Sequence, residues 1–398
     1  PVLNDPNMTT WQSYGVRAWP TLVMVDPRGE IIATYSGEGH AHAIEALLKK
    51  LVPEYEAAGD LVRGTGLYKA PAPSSLALKQ PGKIVAVPSA YRHLLAGAEL
   101  LVSNSGAHNL VGLTTDNLLN PVITIGKGVR GSSDGDFASA NFAEPYGAVF
   151  LDSGLAAQVG AHLLVADTAN HLIRAVNLET KTVSTIAGTG SQWMQADSTT
   201  GPALGVNIST PWDIDIADDL LLIAMAGEHR IWNYDFKKKT LGIFAGTTNE
   251  GLVDGNLAEA WFAQPSALVK SKTNPGKIWL IDAETSALRA AENGKISSQI
   301  GKGLFDFGHV DGPADQALLQ HPLGVLELPD GNLLIADTYN RAIRKYSPST
   351  NQVSTIARDL SEPSDLELVE TADGPKLAIV EAAANRITLL PIEACLLY

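Results

Sequence analysis

The sequence predicts a mainly β protein: a six-bladed β-propeller preceded by a small α/β segment. Three observations predict it. One phrase returns six times, a second motif recurs between the copies, and the first sixty residues fit neither. The clearest copies of the phrase are LLVADTANHLIR (163–174) and LLIADTYNRAIR (333–344). Weaker ones are LLVSNSGAHNLV (100–111), LLIAMAGEHRIW (221–232), IWLIDAETSALR (278–289) and LAIVEAAANRIT (377–388). Measured at the Asp of the phrase, the anchors are Asn104, Asp167, Met225, Asp282, Asp337 and Glu381, in steps of 63, 58, 57, 55 and 44 residues. Self-similarity at such a period is the mark of a repeat architecture.

Each unit has one internal order. A Pro opens a mixed apolar run, as in Pro145-Tyr146-Gly147-Ala148. The LLVAD-type run follows, then a turn of small and polar residues. A third run (IRAV, IRKY) comes next, and the last is rich in Val, Ile and Thr and ends in Gly, as in VSTIAGTG (183–190). Runs this short, β-branched and punctuated read as strands. Four strands per unit and six units imply a propeller, whose blades need their neighbours to bury both sheet faces.

The linkers carry the second motif. Asp-Gly at 134–135, 254–255 and 311–312 is followed by A-x-[FL]-x-x-P at 140–145, 260–265 and 317–322, with 206–211 a degenerate relative. Asp-Gly predicts a tight turn. The Phe or Leu is expected to plug the junction between blades, and the Pro to start the next inner strand. Together these phrases resemble the NHL-repeat propellers over residues 75–394. The copy at Glu381 lacks a fourth strand of the same type. Ring closure is therefore expected from an earlier segment, 61–68, or alternatively from 395–398.

The N-terminal segment reads YGVRAWP, then TLVMVDPRGE, then IIATYSGEG, then AHAIEALLKKLV (41–52), with Ile44, Leu47, Leu48 and Leu51 at helical spacing. A strand at 22–25, a turn at 26–29, a strand at 31–35 and a helix are predicted. That order, with Trp19-Pro20-Thr21 before the first strand, resembles the C-terminal half of a thioredoxin-like domain. There the resemblance implies a cis proline beside the active thiols and a groove lined by Trp19, Pro20 and Thr21. A dithiol site needs a low-pKa cysteine pair, and the sequence holds a single cysteine, Cys395. The chain therefore reads as a fragment inactive in dithiol chemistry, with any cysteine motif upstream of Pro1. A thioredoxin-like domain followed by an NHL propeller is similar to the NHL-repeat-containing protein 2 family, which implies a redox-linked interaction protein. The expected boundaries are 1–55 for the partial thioredoxin-like domain, 56–75 for a linker with a possible closing strand, and 76–398 for the propeller.

Composition narrows the function. The formal net charge is −14, from 29 Lys and Arg against 43 Asp and Glu. That argues against a nucleic-acid surface and against anionic membranes. No apolar run reaches transmembrane length. One cysteine fits a reducing compartment, or any compartment of a bacterium, and a cytoplasmic location is expected. The sequence has no GxGxxG opening a helix, no P-loop, no GxSxG and no HExxH.

The candidate residues divide into those that follow the repeat and those that break it. His108, His171 and His229 occupy one position in three consecutive units. They are candidates for the propeller rim and, if they met on the axis, for a metal. Ser286 and Arg341 break that series, and the competing reading is turn packing. Asp167, Asp282 and Asp337 recur seven residues before Arg174, Arg289 and Arg344. Arg174 and Arg344 could form a charged rim, but repetition favours scaffolding. Unit three departs from the repeat at residues 224–228, and Trp193, Trp212, Trp232 and Trp261 fall in or before units three and four. These four are candidates for a partner face. The favoured reading is a protein-interaction scaffold linked to a redox module, with an unidentified protein partner and no cofactor or resident metal. The alternative is a metal-dependent lyase or hydrolase at the channel mouth, with His171 and His229 as ligands.

Overall fold

The computed structural model describes residues 9–16, 20–37, 40–61 and 76–392. The chain divides into two compact units, Pro1–Ser74 and Ser75–Tyr398.

In the first unit, a short helix (Thr9–Ser13) precedes an antiparallel hairpin of Thr21–Val25 and Ile31–Ser36, with Thr21 opposite Ser36. Asp26 closes the hairpin turn. Its Oδ1 accepts the backbone N–H groups of Arg28 and Glu30 at 2.8 and 2.9 Å, the local bonding that favours Asp in turns. The following helix, Ala41–Ala58, runs past the expected end at Val52, continues through Pro53, and stops at Gly59 in the left-handed conformation. Two contacts tie its end to the hairpin: Tyr55 Oη donates to Asp26 Oδ2 at 2.9 Å, and Arg28 pairs with Asp60 at 2.6 Å.

The second unit is a six-bladed propeller. Blade 1 comprises Ile84–Ala86, Leu100–Asn104, Asn109–Leu113 and Ile123–Ile125; blade 2, Pro145–Phe150, Leu163–Asp167, Leu172–Asn177 and Thr182–Ala187. Blade 3 comprises Pro211–Ala217, Leu220–Met225, Arg230–Asp235 and Thr240–Ala245; blade 4, Pro265–Lys270, Ile278–Asp282, Ala287–Glu292 and Lys295–Ile300. Blade 5 comprises Gly324–Glu327, Leu333–Asp337, Ala342–Ser347 and Gln352–Ala357, and blade 6 has Pro363–Thr371, Gly374–Glu381 and Arg386–Pro391. All neighbouring strands are antiparallel.

The Asp-Gly linkers correct one expectation. They make no tight turn. Gly135–Asp136, Gly255–Asn256 and Gly312–Pro313 are two-residue strands added to the outer edge of the blade they precede, as in the pairing of Gly135 with Val183. Glycine is used here because φ is 122° at Gly312 and near 155° at Gly135 and Gly255. The linker apolar residues behave as expected. Phe142, Phe262 and Leu319 are buried in separate cores, each between two blades.

Among the described residues there are six such cores, one at each blade junction. The sixth joins Val369, Ala378 and Val380 of blade 6 to Ile84, Leu100 and Val102 of blade 1. Ser364 Oγ donates to the Gly82 carbonyl at 2.7 Å across this junction, and Gln80 N donates to Asn385 Oδ1 at 2.6 Å. The closing strand expected at 61–68 (Leu61 apart) or 395–398 lies outside the described residues.

Short helices escaped the sequence reading, among them Thr9–Ser13 and the 3-10 helix Ser89–Leu95 in blade 1. Another, Ser153–Val159, sits between the first two strands of blade 2. Asp152 caps it by accepting from Gly154 N and Leu155 N, and Gly160 ends it. Seven residues are too few for an apolar period to show.

Candidate functional site in the channel and on the linker rim

The repeated charges are spent inside the blades. Arg174, Arg289 and Arg344 are fully buried. Arg344 Nη1 donates to Asp337 Oδ2 at 2.8 Å and to the Leu318 carbonyl at 3.0 Å; its Nη2 donates to the Val310 carbonyl at 2.7 Å and to Asp311 Oδ1 at 2.6 Å. Arg174 repeats this with Asp167, Asn141, Ser133 and Asp134, its guanidinium lying 5.2 Å over the Phe142 ring. Arg289 bonds the Trp261 and Val253 carbonyls and Asp254. Each arginine thus staples a linker to the blade it enters. Burial raises the pKa of Asp167, Asp282 and Asp337, to about 6 for Asp282, against the pull of their arginines. Arg174 and Arg344 hold the scaffold and do not stand on a solvent rim.

Blade 3 lacks this pair. Trp232 and Met225 take the places of Arg and Asp, both without exposed surface. An apolar pair of similar bulk substitutes for a buried ion pair.

The histidines are held apart. His108, His171 and His229 adopt φ of 56°, 55° and 60° in three separate turns. Each accepts at Nδ1 a backbone N–H from the next linker: Glu144, Thr210 and Gln264 respectively, at 3.0–3.2 Å. Burial lowers the pKa of His171 and His229. Among the described residues no three His, Cys, Asp or Glu side chains converge in a way that could hold a metal ion.

The four tryptophans do not form one face, because burial separates them. Trp232 is fully buried, and Trp193 is buried with Arg230 5.1 Å over its ring. Trp212 stacks on Tyr146 at 5.8 Å, and Trp261 is exposed. In the first unit, Pro20 is exposed and Thr21 opens the hairpin; Trp19 lies outside the described residues.

The channel holds residues that sequence reasoning missed. The second residue after the Pro of each inner strand is Lys83, Gly147, Asp213, Ala267, Gly324 or Asp365. Lys83 Nζ lies 3.3 Å from Asp213 Oδ2 and 3.7 Å from Asp365 Oδ1, and donates to the Leu323 carbonyl at 2.9 Å. It thereby ties blades 1, 3, 5 and 6 together across the axis. Burial opposes its charge, but Asp213 and Asp365 more than offset that and raise its pKa. Burial raises Asp213 and takes Asp365 to about 6.

The glycines make room for these carboxylates. A Cβ on Gly147 would come within 2.5 Å of Asp213 Oδ1, and one on Gly324 within 2.8 Å of Asp365 Oδ1. The acids also satisfy the open edges of neighbouring inner strands. Asp213 accepts from Leu268 N, Asp215 from Lys270 N, and Asp365 from Ile84 N, at 2.7–3.1 Å.

Lys83, Asp213 and Asp365 line a cavity of about 660 Å³, walled also by Val85, Val149, Val269 and Leu326, with Asp215, Glu367 and Lys272 among its lining. Burial pushes Asp215 up to about 6 and Glu367 up to about 7. The signal was available: D-I-D (213–215) and D-L-E (365–367), like Lys83, break a position that the remaining three units fill with Gly or Ala.

Fold, staples and plugged channel define a six-bladed NHL-repeat propeller. The chain is 34% identical over 392 residues to NHL repeat-containing protein 2 of Gallus gallus, covering 90% of this chain and 51% of that protein. It is 33% identical over 391 residues to the Homo sapiens protein of the same name, with the same coverage. The chain belongs to the NHL repeat-containing protein 2 family, and it spans about half the length of those relatives. It is also similar to Protein SUPPRESSOR OF QUENCHING 1, chloroplastic, of Arabidopsis thaliana, at 32% identity over 403 residues, 93% of this chain and 36% of that protein. No family model matches the chain. Among solved structures, a gluconolactonase candidate shares the fold at 12% identity and a TM-score of 0.50, covering 80% of this chain and 91% of the other. A streptogramin B lyase aligns at 10% identity and a TM-score of 0.49, over 81% and 83%.

Proposed function

We propose that this chain is a protein-interaction scaffold whose hairpin-and-helix unit is part of a thioredoxin-like, redox-linked module. The observation that carries the first half is a division of labour in the propeller. Repeated Arg, Asp and His side chains are consumed within and between blades, whereas exposed Val129, Met194, Val253, Trp261, Phe305 and Val310 sit in the linkers at one end of the wheel, against Leu119 and Val122 at the other. A fixed scaffold with more exposed apolar side chains at one end suits protein partners. The order of hairpin, Asp26 turn and helix supports the second half. No helix among the described residues is long and apolar enough to cross a membrane. A photoreactive residue at position 253 of the full chain should give adducts with a partner, and one at position 238, at the other end of blade 3, should not. The redox half fails if the native gene encodes no cysteine upstream of Pro1.

A further inference from the structure

The linkers into blades 2, 3, 4 and 5 share one backbone plan but differ in what they present. Two positions in this plan are exposed or half-buried: the residue before the Asp-Gly or equivalent pair, and the residue after the linker Ala or its equivalent. They hold Ser133 and Asn141 before blade 2, and Thr199 and Asn207 before blade 3. Before blades 4 and 5 they hold Val253 with Trp261, and Val310 with Leu318. Each of these two apolar pairs is a short antiparallel bridge. Trp261 N donates to the Val253 carbonyl at 3.0 Å, and Val310 N exchanges bonds with Leu318. The carbonyls of Val253, Trp261, Val310 and Leu318 are held by buried Arg289 and Arg344. The exposed side chains therefore stand on a backbone already fixed from beneath, so a partner has little to order on binding. Phe305, 55% exposed, extends the patch in the linker that leaves blade 4.

Acids outnumber bases around the patch, where the nearby cations are Lys302 and the exposed Arg358, 3.8 Å from Asp311. Residues 246–264 contain Glu250, Asp254 and Glu259 and no Lys or Arg; residues 301–323 contain Asp306, Asp311 and Asp315 against Lys302 alone. Asp254 and Asp311 are spent on the buried arginines. Glu250, Glu259, Asp306 and Asp315 remain on the surface.

We propose that the linker rim of blades 4 and 5 docks a basic protein segment in which Lys or Arg alternates with aliphatic or aromatic side chains. This rests on the interaction-scaffold reading and names the partner's chemistry. The apolar side chains would cover Val253, Val310 and Phe305, a cation would lie over the Trp261 ring, and the others would meet the four carboxylates. Complementary charge would set the rate and selectivity of association. A nucleic acid would be repelled by the same carboxylates.

The test uses the full chain and a fluorescent twelve-residue peptide alternating Lys or Arg with Leu and Trp. Control peptides replace Lys and Arg with Glu, or Leu and Trp with Ser. The triple variant Val253→Ser, Trp261→Asn, Val310→Ser installs what the linker into blade 2 already carries on this backbone, so the fold accommodates it. Anisotropy should show binding of the basic, apolar peptide alone, weakened at least about tenfold in the triple variant. Glu250→Gln with Asp306→Asn should flatten its salt dependence. Equal binding of the Glu peptide, or unchanged binding by the triple variant, overturns the proposal. So does a concentration-dependent dimer that the triple variant abolishes, since the rim would then be a contact between copies. Partner adducts formed equally by wild type and triple variant refute this surface but keep the scaffold reading; adducts from neither, with no peptide bound, refute both.

Discussion

Removing the guanidinium of Arg344 tests whether the repeated charges are scaffold. Arg344→Met deletes five hydrogen bonds to two carboxylates and two carbonyls and leaves Asp337 with no exposed surface and no cation. Breaking a buried pair from one side costs about 3–5 kcal/mol. Asp311 is 39% exposed and can return to water, so most of the cost falls on Asp337. Asp337→Asn keeps an acceptor for Gln320 N, which donates to Oδ1 at 2.8 Å, while Arg344 retains Asp311. That single change should cost less. The double variant should recover much of the Arg344→Met loss, with a coupling of about 2 kcal/mol, because blade 3 shows the site filled by Trp232 and Met225 without charge. Urea denaturation of wild type, both singles and the double measures the cycle. The Arg344→Met loss should shrink as pH falls. Burial already raises the Asp337 pKa, and without its arginine the carboxyl takes up a proton in the fold at still higher pH than in the unfolded chain. A loss below about 1 kcal/mol for Arg344→Met, or strict additivity in the double, would refute the staple.

Three further outcomes follow from the same electrostatics. Lys83→Met should destabilise the propeller by about 3–5 kcal/mol in thermal or chemical melts, because Asp213 and Asp365 lose their shared cation; that penalty should ease on acidification as both carboxyls protonate. His321, stacked on Tyr339 at 4.4 Å, is driven by burial down to about 4. Its contribution is complete above the unfolded value of about 6.5 and is lost as pH falls towards 4, so His321→Gln should flatten the acid limb of the stability profile by about 2–3 kcal/mol. Glu228 is buried with Arg230 3.5 Å away, and burial pushes its pKa up to about 8. The fold therefore holds its proton while the unfolded chain releases it, and wild type loses stability as pH rises from about 4.5 to about 8. Glu228→Gln should lack that loss, seen as a urea midpoint less sensitive to pH between 5 and 8.

Much of the wheel was legible because repetition multiplies weak signals. A single LLVAD run is ambiguous, but six in register, each with Pro before and four with Gly after the unit's last strand, specify strand order and blade count. The short helix Ser153–Val159 was not legible. Nor was the role of Asp-Gly, since a turn and a two-residue edge strand both use glycine's freedom and differ only in what lies alongside. Lys83, Asp213 and Asp365 sat in plain view at a position where the remaining three units have Gly or Ala. These departures lie on the inner strands, whereas the departure at 224–228 lies around a strand-connecting turn.

By itself the chain's order of residues determined the repeat, the antiparallel blades and the scaffold character of Arg174, Arg289 and Arg344, because alternation and turn chemistry act over a few neighbours. Only the tertiary structure decided which tryptophans reach solvent, that Lys83 meets two aspartates 130 and 282 positions away, and that apolar linker residues collect beside acids on blades 4 and 5. Those facts depend on closing six sheets around an axis, which brings together residues that no local pattern relates.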